Sequence, residues 1–331
     1  MRRVIVVGAG LFGQIIASRL TQLGITPIVA TRSGRDVRMD AEVEASVRAS
    51  LRSGDVVVDT AGPFQTRTTR LARVALERGC DVIDIAESLA WSEAILALGP
   101  RASEAGVALF PACSAVAAVA GACVRASGIG APEQIDLFLA PASAETASAG
   151  TMKGFLGSLG QSIRTFRDGA LVTVKGYTEF RPFPVSRRRG GIVEQAGAVL
   201  LPRSWTPLRR VELWVDPNAP LARAALSLAA RLPPLAALAR GAAPVVGPGP
   251  FARHDGMFAV VIQGDARAAS YVFSAERFSY LVAVEPAVIV AEALARGAAP
   301  TPGVVLPHAQ VEPDVLFARL RALGIRIETG S

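Results

Sequence analysis

Residues 4–13 read Val4-Ile5-Val6-Val7-Gly8-Ala9-Gly10-Leu11-Phe12-Gly13. Four apolar β-formers run straight into three glycines spaced G-x-G-x-x-G, and a helix-patterned stretch continues to Gly24. In that setting the three glycines serve different needs. They allow a tight turn, a backbone that a pyrophosphate can approach at the N–H groups opening the helix, and close packing of helix on strand. Gly8, Gly10, Leu11, Phe12 and Gly13 are the expected pyrophosphate cradle. The next apolar run, residues 25–30, ends roughly 20 residues beyond the turn, where an NAD enzyme places an acidic residue on the ribose 2'-hydroxyl. This chain has Thr31-Arg32-Ser33 there. A guanidinium and two hydroxyls suit a 2'-phosphate and no carboxylate repels one, so NADP is expected over NAD. The competing reading of Arg32 is a solvated charge at a strand end.

The rest of the composition sets bounds. With 331 residues, 51% of them hydrophobic and 19% charged, the chain is globular and long enough for two domains. The net charge of +7 is spread along the chain without aromatic interleaving or a nucleic-acid motif, so no nucleic-acid partner is expected. Of the 35 basic residues only two are lysines, Lys153 and Lys175. Cys80, Cys113 and Cys123 lack metal-ligand spacing and read as reduced thiols of a cytoplasmic protein, with no metal site. Met1-Arg2-Arg3 leads directly into the first strand, leaving no room for a leader peptide. The longest uncharged run, 105–124, has the length of a membrane span. Gly106, Pro111, Ser114, Gly121 and many alanines make it instead a buried strand followed by a buried small-residue helix, so no integral membrane segment is expected.

Along the first part of the chain, strand patterns at 55–60, 81–85 and 107–110 alternate with helical patterns at 66–77 and 91–105. Such alternation implies right-handed crossovers and a parallel sheet covered on both faces. Ligands of these sheets bind outside the carboxyl ends of the strands, which places Ala61, Gly62, Pro63, Phe64, Glu87 and the Pro111-Ala112-Cys113-Ser114 turn around one crevice. From about residue 133 the texture changes to β-rich runs at 135–139, 171–178, 211–215, 257–264 and 268–274, which suggest a mixed or antiparallel sheet. The segment 221–246, with Arg223, Arg231 and Arg240 among Leu and Ala and broken by Pro233-Pro234, reads as a surface helical hairpin or as a mobile lid or membrane-surface segment. Helix returns at 286–296, followed by a Pro302-Gly303-Val304 turn and a last helix at 313–323.

The opening VIVVGAG, DVVVDTAGPF at 55–64, CDVIDIAE at 80–87 and the GxxxxPGVVxP pattern at 297–307 resemble the saccharopine dehydrogenase-like oxidoreductases. The likeness is strongest in the first 125 residues and the last 50 or so. It implies an α/β protein: an N-terminal Rossmann domain, that is, a doubly wound parallel sheet, formed by 1–125 plus 286–331. An α+β mixed-sheet domain at 126–285 would bind substrate and form dimers, with C-terminal helices returning to the Rossmann domain. It also implies an NAD(P) cofactor and frequently a homodimer. It does not imply one substrate, and the chain is short for the saccharopine-forming enzymes themselves.

Hydride transfer needs a C=N, C=O or activated C=C held at the nicotinamide and a proton donor beside it. Glu87 at a strand end is one candidate, the other reading being a helix-terminal charge. Cys113 beside Ser114 is a second, the other reading being a small buried packing residue. Lys153 in Gly150-Thr151-Met152-Lys153-Gly154 is a third, because a desolvated lysine can release a proton and an arginine cannot. Tyr177, two residues from Lys175 on a strand, and His254 in Arg253-His254-Asp255 complete the set, while His308 reads as structural. Two function classes follow: an NADP-dependent oxidoreductase acting on a small metabolite, and a non-catalytic NADP-binding sensor or partner-binding protein.

Overall fold

A computed structural model describes residues 1–146, 156–218, 222–242 and 252–330. Seven parallel strands form the first sheet: β1 (Val4–Val7), β2 (Ile28–Thr31), β3 (Val37–Arg38), β4 (Val56–Asp59), β5 (Asp81–Asp84), β6 (Ala108–Phe110) and β15 (Gly303–Val304). Their spatial order is β15-β6-β5-β4-β1-β2-β3. The chain runs outward from β1 to β3, returns, and runs outward from β4 in the other direction. The switch point therefore lies between β1 and β4. Alternate residues of β1 and β4 feed two cores: Val4, Val6, Val56 and Val58 face one layer of helices, and Ile5, Val7 and Val57 face the other.

The second sheet has nine strands: β7 (Gln134–Ala140), β8 (Ser162–Arg167), β9 (Ala170–Lys175), β10 (Phe180–Pro182), β11 (Arg189–Val193), β12 (Arg210–Val215), β13 (Gly256–Gln263), β14 (Ala268–Ala275) and β16 (Arg326–Gly330). It is mixed: β12 and β7 are parallel, while β7–β13, β13–β14 and β14–β16 are antiparallel. One face, with Ile135, Leu137, Val211, Leu213, Val260 and Phe273, joins the core that also contains Val4 and Val58. The parallel sheet, the helices between and the inner face of the mixed sheet thus share one continuous apolar layer.

The run 105–124 is a buried strand, a turn, a π-helical segment at Ala115–Val119 and an α-helix at Ala120–Ser127. Among the described residues no helix is long and apolar enough to cross a membrane. Several expected boundaries move. The helical stretch 91–105 is two helices, Leu89–Leu96 and Gly99–Glu104, parted ahead of Gly99-Pro100. The helix expected from Pro286 begins at Leu281 and carries that proline in its interior. Strands β8, β10 and β11 and the helix Gly197–Ser204 lie in stretches to which the sequence assigned no element. Residues 326–330, expected with the dinucleotide-binding half, form β16 on the edge of the second sheet. Of the segment 221–246, residues 222–242 are two helices, Ala222–Arg231 and Pro233–Ala242, with 221 and 243–246 outside the described residues.

Candidate functional site

The glycine turn sits at the carboxyl end of β1, and its three glycines differ in their surroundings. Gly8 has φ +103, and a Cβ there would lie 3.0 Å from the backbone of Ala61. At Gly13 a Cβ would overlap the Gly8 carbonyl oxygen and lie 2.5 Å from Thr60 Oγ1. Gly10 is different: it is exposed, its φ is −70, and a Cβ there would meet nothing within 4 Å. The fold does not need glycine at position 10, and its lack of a side chain leaves the approach to the helix Leu11–Gln22 open. Among the described residues no side chain caps that helix, so the N–H groups of its first turn face the open space beside Gly10. The residues present fit a dinucleotide pyrophosphate on this observation. Thr60 Oγ1 donates to the Val7 carbonyl at 2.9 Å and ties the end of β4 to the turn.

Thr31 ends β2. Its Oγ1 accepts from Gly34 N and Arg35 N, both at 3.0 Å, and lies 3.3 Å from Ser33 Oγ. The hydroxyl shapes the turn that presents Arg32 and Ser33, both exposed. Arg32 has no hydrogen bond or ion pair with the described residues, and the exposed Arg35 and Arg38 stand on the same strand ends. Those two arginines escaped the sequence reading, although they follow Arg32 at i+3 and i+6.

The loops after β4, β5 and β6 are built by a device that sequence reasoning also missed. Asp59 and Asp84 end adjacent strands and are buried. Asp59 Oδ1 accepts from Ala61 N at 3.0 Å and from Arg67 at 2.8 Å. Burial raises the Asp59 carboxyl above its ordinary range, and the Arg67 guanidinium opposes that rise. Arg67 also donates to the Ala61 carbonyl at 2.6 Å and to Glu42 at 3.3 Å, and lies over the rings of Phe64 and Trp91 at 5.6 and 5.3 Å. The Ala61-Gly62-Pro63-Phe64 loop is thereby clamped, with a cis bond at Gly62-Pro63. Asp84 Oδ1 accepts from Ala86 N at 3.0 Å and Ala112 N at 2.9 Å, and burial pushes its carboxyl up to about 7. One carboxylate therefore fixes both the loop that carries Glu87 and the turn that carries Cys113 and Ser114. The sequence signal was the repeated strand ending, Val-Val-Val-Asp59 and Val-Ile-Asp84.

Glu87 is exposed to solvent, yet many protein atoms lie around its carboxyl. That enclosure pushes its carboxyl up to about 7, partly offset by the neighbouring Ser114 hydroxyl. Ser114 is buried, precedes the π-helical segment and has no well-aligned partner for its Oγ. Ala112, with φ 46, makes the sharp turn that brings Ser114 to this position.

The other candidates fall elsewhere. Cys113 is fully buried; burial, and then the Asp84 carboxylate, hold its thiol protonated. It packs in the core and does not face the crevice. Tyr177 does not lie on a strand facing with Lys175: it follows β9 with φ 63, is 1% exposed and stacks edge-on against Phe180 at 5.3 Å. Burial raises its hydroxyl well above the usual range. His254 is exposed just before β13, with Nδ1 3.3 Å from Glu145. Lys153 and the 150–154 stretch lie outside the described residues. His308 packs against Trp205 at 5.9 Å, as a structural side chain would. Among the described residues no group of His, Cys, Asp or Glu is arranged to hold a metal ion.

Fold and site together define an NAD(P)-dependent oxidoreductase with a Rossmann domain and a mixed-sheet partner layer. Residues 4–110, about a third of the chain, match the family model of the saccharopine dehydrogenase NADP binding domain. No curated protein matches the sequence. Among solved structures, the chain is similar to the C. glutamicum DAP dehydrogenase in complex with DAP, at 12% identity over 97% of this chain and 98% of that one with a TM-score of 0.47. It is similar to GenD2 from gentamicin A biosynthesis in complex with NAD, at 15% identity over 100% and 97% with a TM-score of 0.42. A third is UDP-N-acetylglucosamine 3-dehydrogenase GnnA from Acidithiobacillus ferrooxidans, at 13% identity over 97% and 96% with a TM-score of 0.39.

Proposed function

We propose that the protein is an NADP-dependent reductase or dehydrogenase of a small metabolite carrying a C=N, C=O or activated C=C bond, with Glu87 exchanging the proton. The observation that carries this reading is the strand-end crevice: an unobstructed helix N-terminus at Gly10, exposed arginines at the end of β2, and one accessible carboxyl of raised pKa at the end of β5. When bound, the nicotinamide supplies or accepts the hydride. Gly10, Leu11, Phe12 and Gly13 would hold the pyrophosphate; Thr31, Arg32 and Ser33, with Arg35 beside them, would hold the 2'-phosphate. The clamped Ala61–Phe64 loop would form the wall between the two. In the reductive direction Glu87 holds a proton near neutral pH, donates it to the heteroatom or carbanion as the bond is reduced, and is left as a carboxylate facing the Ser114 hydroxyl. In the oxidative direction the same carboxylate takes the proton.

The reading extends to a cytoplasmic homodimer. Its support is the three unpaired cysteines, all buried, and the outer face of the second sheet. On that face Trp214 lies under Arg181, and Asp136 and Glu212 bind Arg167, Arg181 and Arg210. The direct test of the reaction class uses NADPH deuterated at the transferable position and a panel of imines, ketones and enoyl compounds. Deuterium in a reduced product supports the proposal. NADPH bound without transfer to any class, and with no reverse reaction on the matching reduced compounds, would favour the sensor reading instead.

A further inference from the structure

The helical hairpin formed by Ala222–Arg231 and Pro233–Ala242 is built inside out. Its buried positions are the small residues Ala230 and Ala236, which let the hairpin approach Gly160 closely: a Cβ there would lie 2.9 Å from the Ala230 carbonyl oxygen and 3.1 Å from Ala236 Cβ. Arg240 donates to the Leu159 carbonyl at 2.7 Å and fixes the second helix to the body. Leu226 packs partly buried against the core, but the other large apolar side chains of the hairpin point the other way. Leu228, Leu232, Leu235 and Leu238 are 56, 44, 41 and 71% exposed, beside exposed Ala224, Ala225, Pro233, Pro234 and Ala237. An ordinary surface helix buries its leucines and shows its polar residues to water, so this arrangement needs an apolar medium outside.

We propose that this hairpin is a membrane-surface anchor that inserts its leucine-rich tip into an anionic lipid leaflet. Three observations favour lipid over a protein partner. The charged residues of 222–242 are Arg223, Arg231 and Arg240, with no carboxylate among them; Arg223 lies 3.7 Å from Asp216 and Arg240 is held by the Leu159 carbonyl, while exposed Arg231 flanks the apolar tip and is, among these described residues, the cation free to meet a head group. Cations beside a leucine face complement acidic head groups, and the net charge of +7 adds a longer-range attraction. The chain turns at Pro233-Pro234, whose nitrogens carry no N–H that would stay unpaired where the first turn of the second helix enters an apolar phase. Neither helix is long enough to span, so the hairpin lies in the interface. Anchoring of this kind would present the enzyme to metabolites that partition into or form at a membrane.

The test uses the full chain with vesicles of phosphatidylglycerol and phosphatidylcholine in equal parts, and with phosphatidylcholine alone. Co-sedimentation with the first and not the second, reduced by added salt, is the expected result. The double substitution Leu232→Asp with Leu235→Asp should lower partitioning at least about tenfold while melting temperature and NADPH affinity stay as they were, since both side chains are exposed. Leu238→Asp alone should lower it in the same direction. Absence of binding to the anionic vesicles overturns the proposal. So does unchanged partitioning of the double variant, which would assign binding to charge alone. So does concentration-dependent self-association that the double variant abolishes, which would make a second copy of the chain the occupant.

Discussion

Gly10→Val separates the ligand's requirements from those of the fold. Gly10 has φ −70 and ψ −175, extended backbone open to valine, and a Cβ there meets nothing within 4 Å. The substitution at this helix-capping position should therefore cost the free protein less than about 1 kcal/mol. A bound pyrophosphate, however, would share its space with the isopropyl group and be displaced from the first-turn N–H groups. Losing two charge-assisted hydrogen bonds at about 1.5–3 kcal/mol each removes about 3–6 kcal/mol, an affinity loss of roughly a hundredfold or more. Gly13→Ala should behave oppositely. Its methyl would overlap the Gly8 carbonyl oxygen and lie 2.5 Å from Thr60 Oγ1, so the turn and β4 must part, at a cost of about 1–3 kcal/mol or more in stability. Calorimetric titration with NADPH and thermal unfolding of both variants provide the readings. A Gly10→Val protein that melts like the parent and binds NADPH within about threefold of it would refute the pyrophosphate assignment. A fully stable Gly13→Ala protein would refute the packing argument.

Arg67→Ala leaves Asp59 buried without its partner and should destabilise the protein by about 3–5 kcal/mol in chemical denaturation, whereas Asp59→Asn combined with Arg67→Met should cost less than the single change. Asp84 has a folded-state pKa of about 7 against an ordinary value of 3.8, so the folded state holds its proton more tightly than the unfolded chain does. The stabilisation from that proton is complete below about pH 4 and lost as pH rises to about 7. Asp84→Asn should flatten the stability profile across that window, and an unchanged slope would show that the carboxyl is not held protonated. Reduction should be fastest below about pH 7 and fall above it, as Glu87 loses its proton. Glu87→Gln should lower the rate by about 10²–10⁴-fold and remove that limb of the profile, an outcome contradicted if the limb persists.

The dinucleotide-binding half was legible because its signals are local. Val4–Val7 and Val56–Asp59 are central strands buried on both faces, so they read as unbroken apolar runs, and the glycine spacing lies in contiguous sequence. The second sheet was less legible because its missed strands have no such pattern. β8 interleaves Arg164 and Arg167 with its buried Ile163 and Thr165, β10 and β11 contain Pro182 and a Gly190-Gly191 pair, and β16 is an exposed edge strand whose pairing with β14 is purely tertiary. Pro286 misled by looking like a first-turn proline, while the helix gains an extra turn before it from Leu281 and Val282, both buried. At the candidate site, the position of Glu87 beside the crevice was readable because it follows a strand end. Arg67 and the two buried aspartates were missed because their partners are backbone groups, or a side chain met only after the loop has folded. Cys113 and Tyr177 were chosen for reactive chemistry, and burial, which sequence pattern shows poorly for single residues, removes them from the crevice.

The central claim, that the strand-end arginines make this an NADP enzyme, is tested most directly by titrating the unmodified protein with NADPH and NADH side by side, and then Arg32→Asp with both. Arg32 is exposed and meets no partner among the described residues, and one charged contact to the 2'-phosphate, worth about 1.5–3 kcal/mol, suffices for tenfold discrimination. The account predicts NADPH bound at least about tenfold more tightly, a preference that added salt narrows and Arg32→Asp reverses. Equal affinities, or tighter binding of NADH by the unmodified protein, would contradict it.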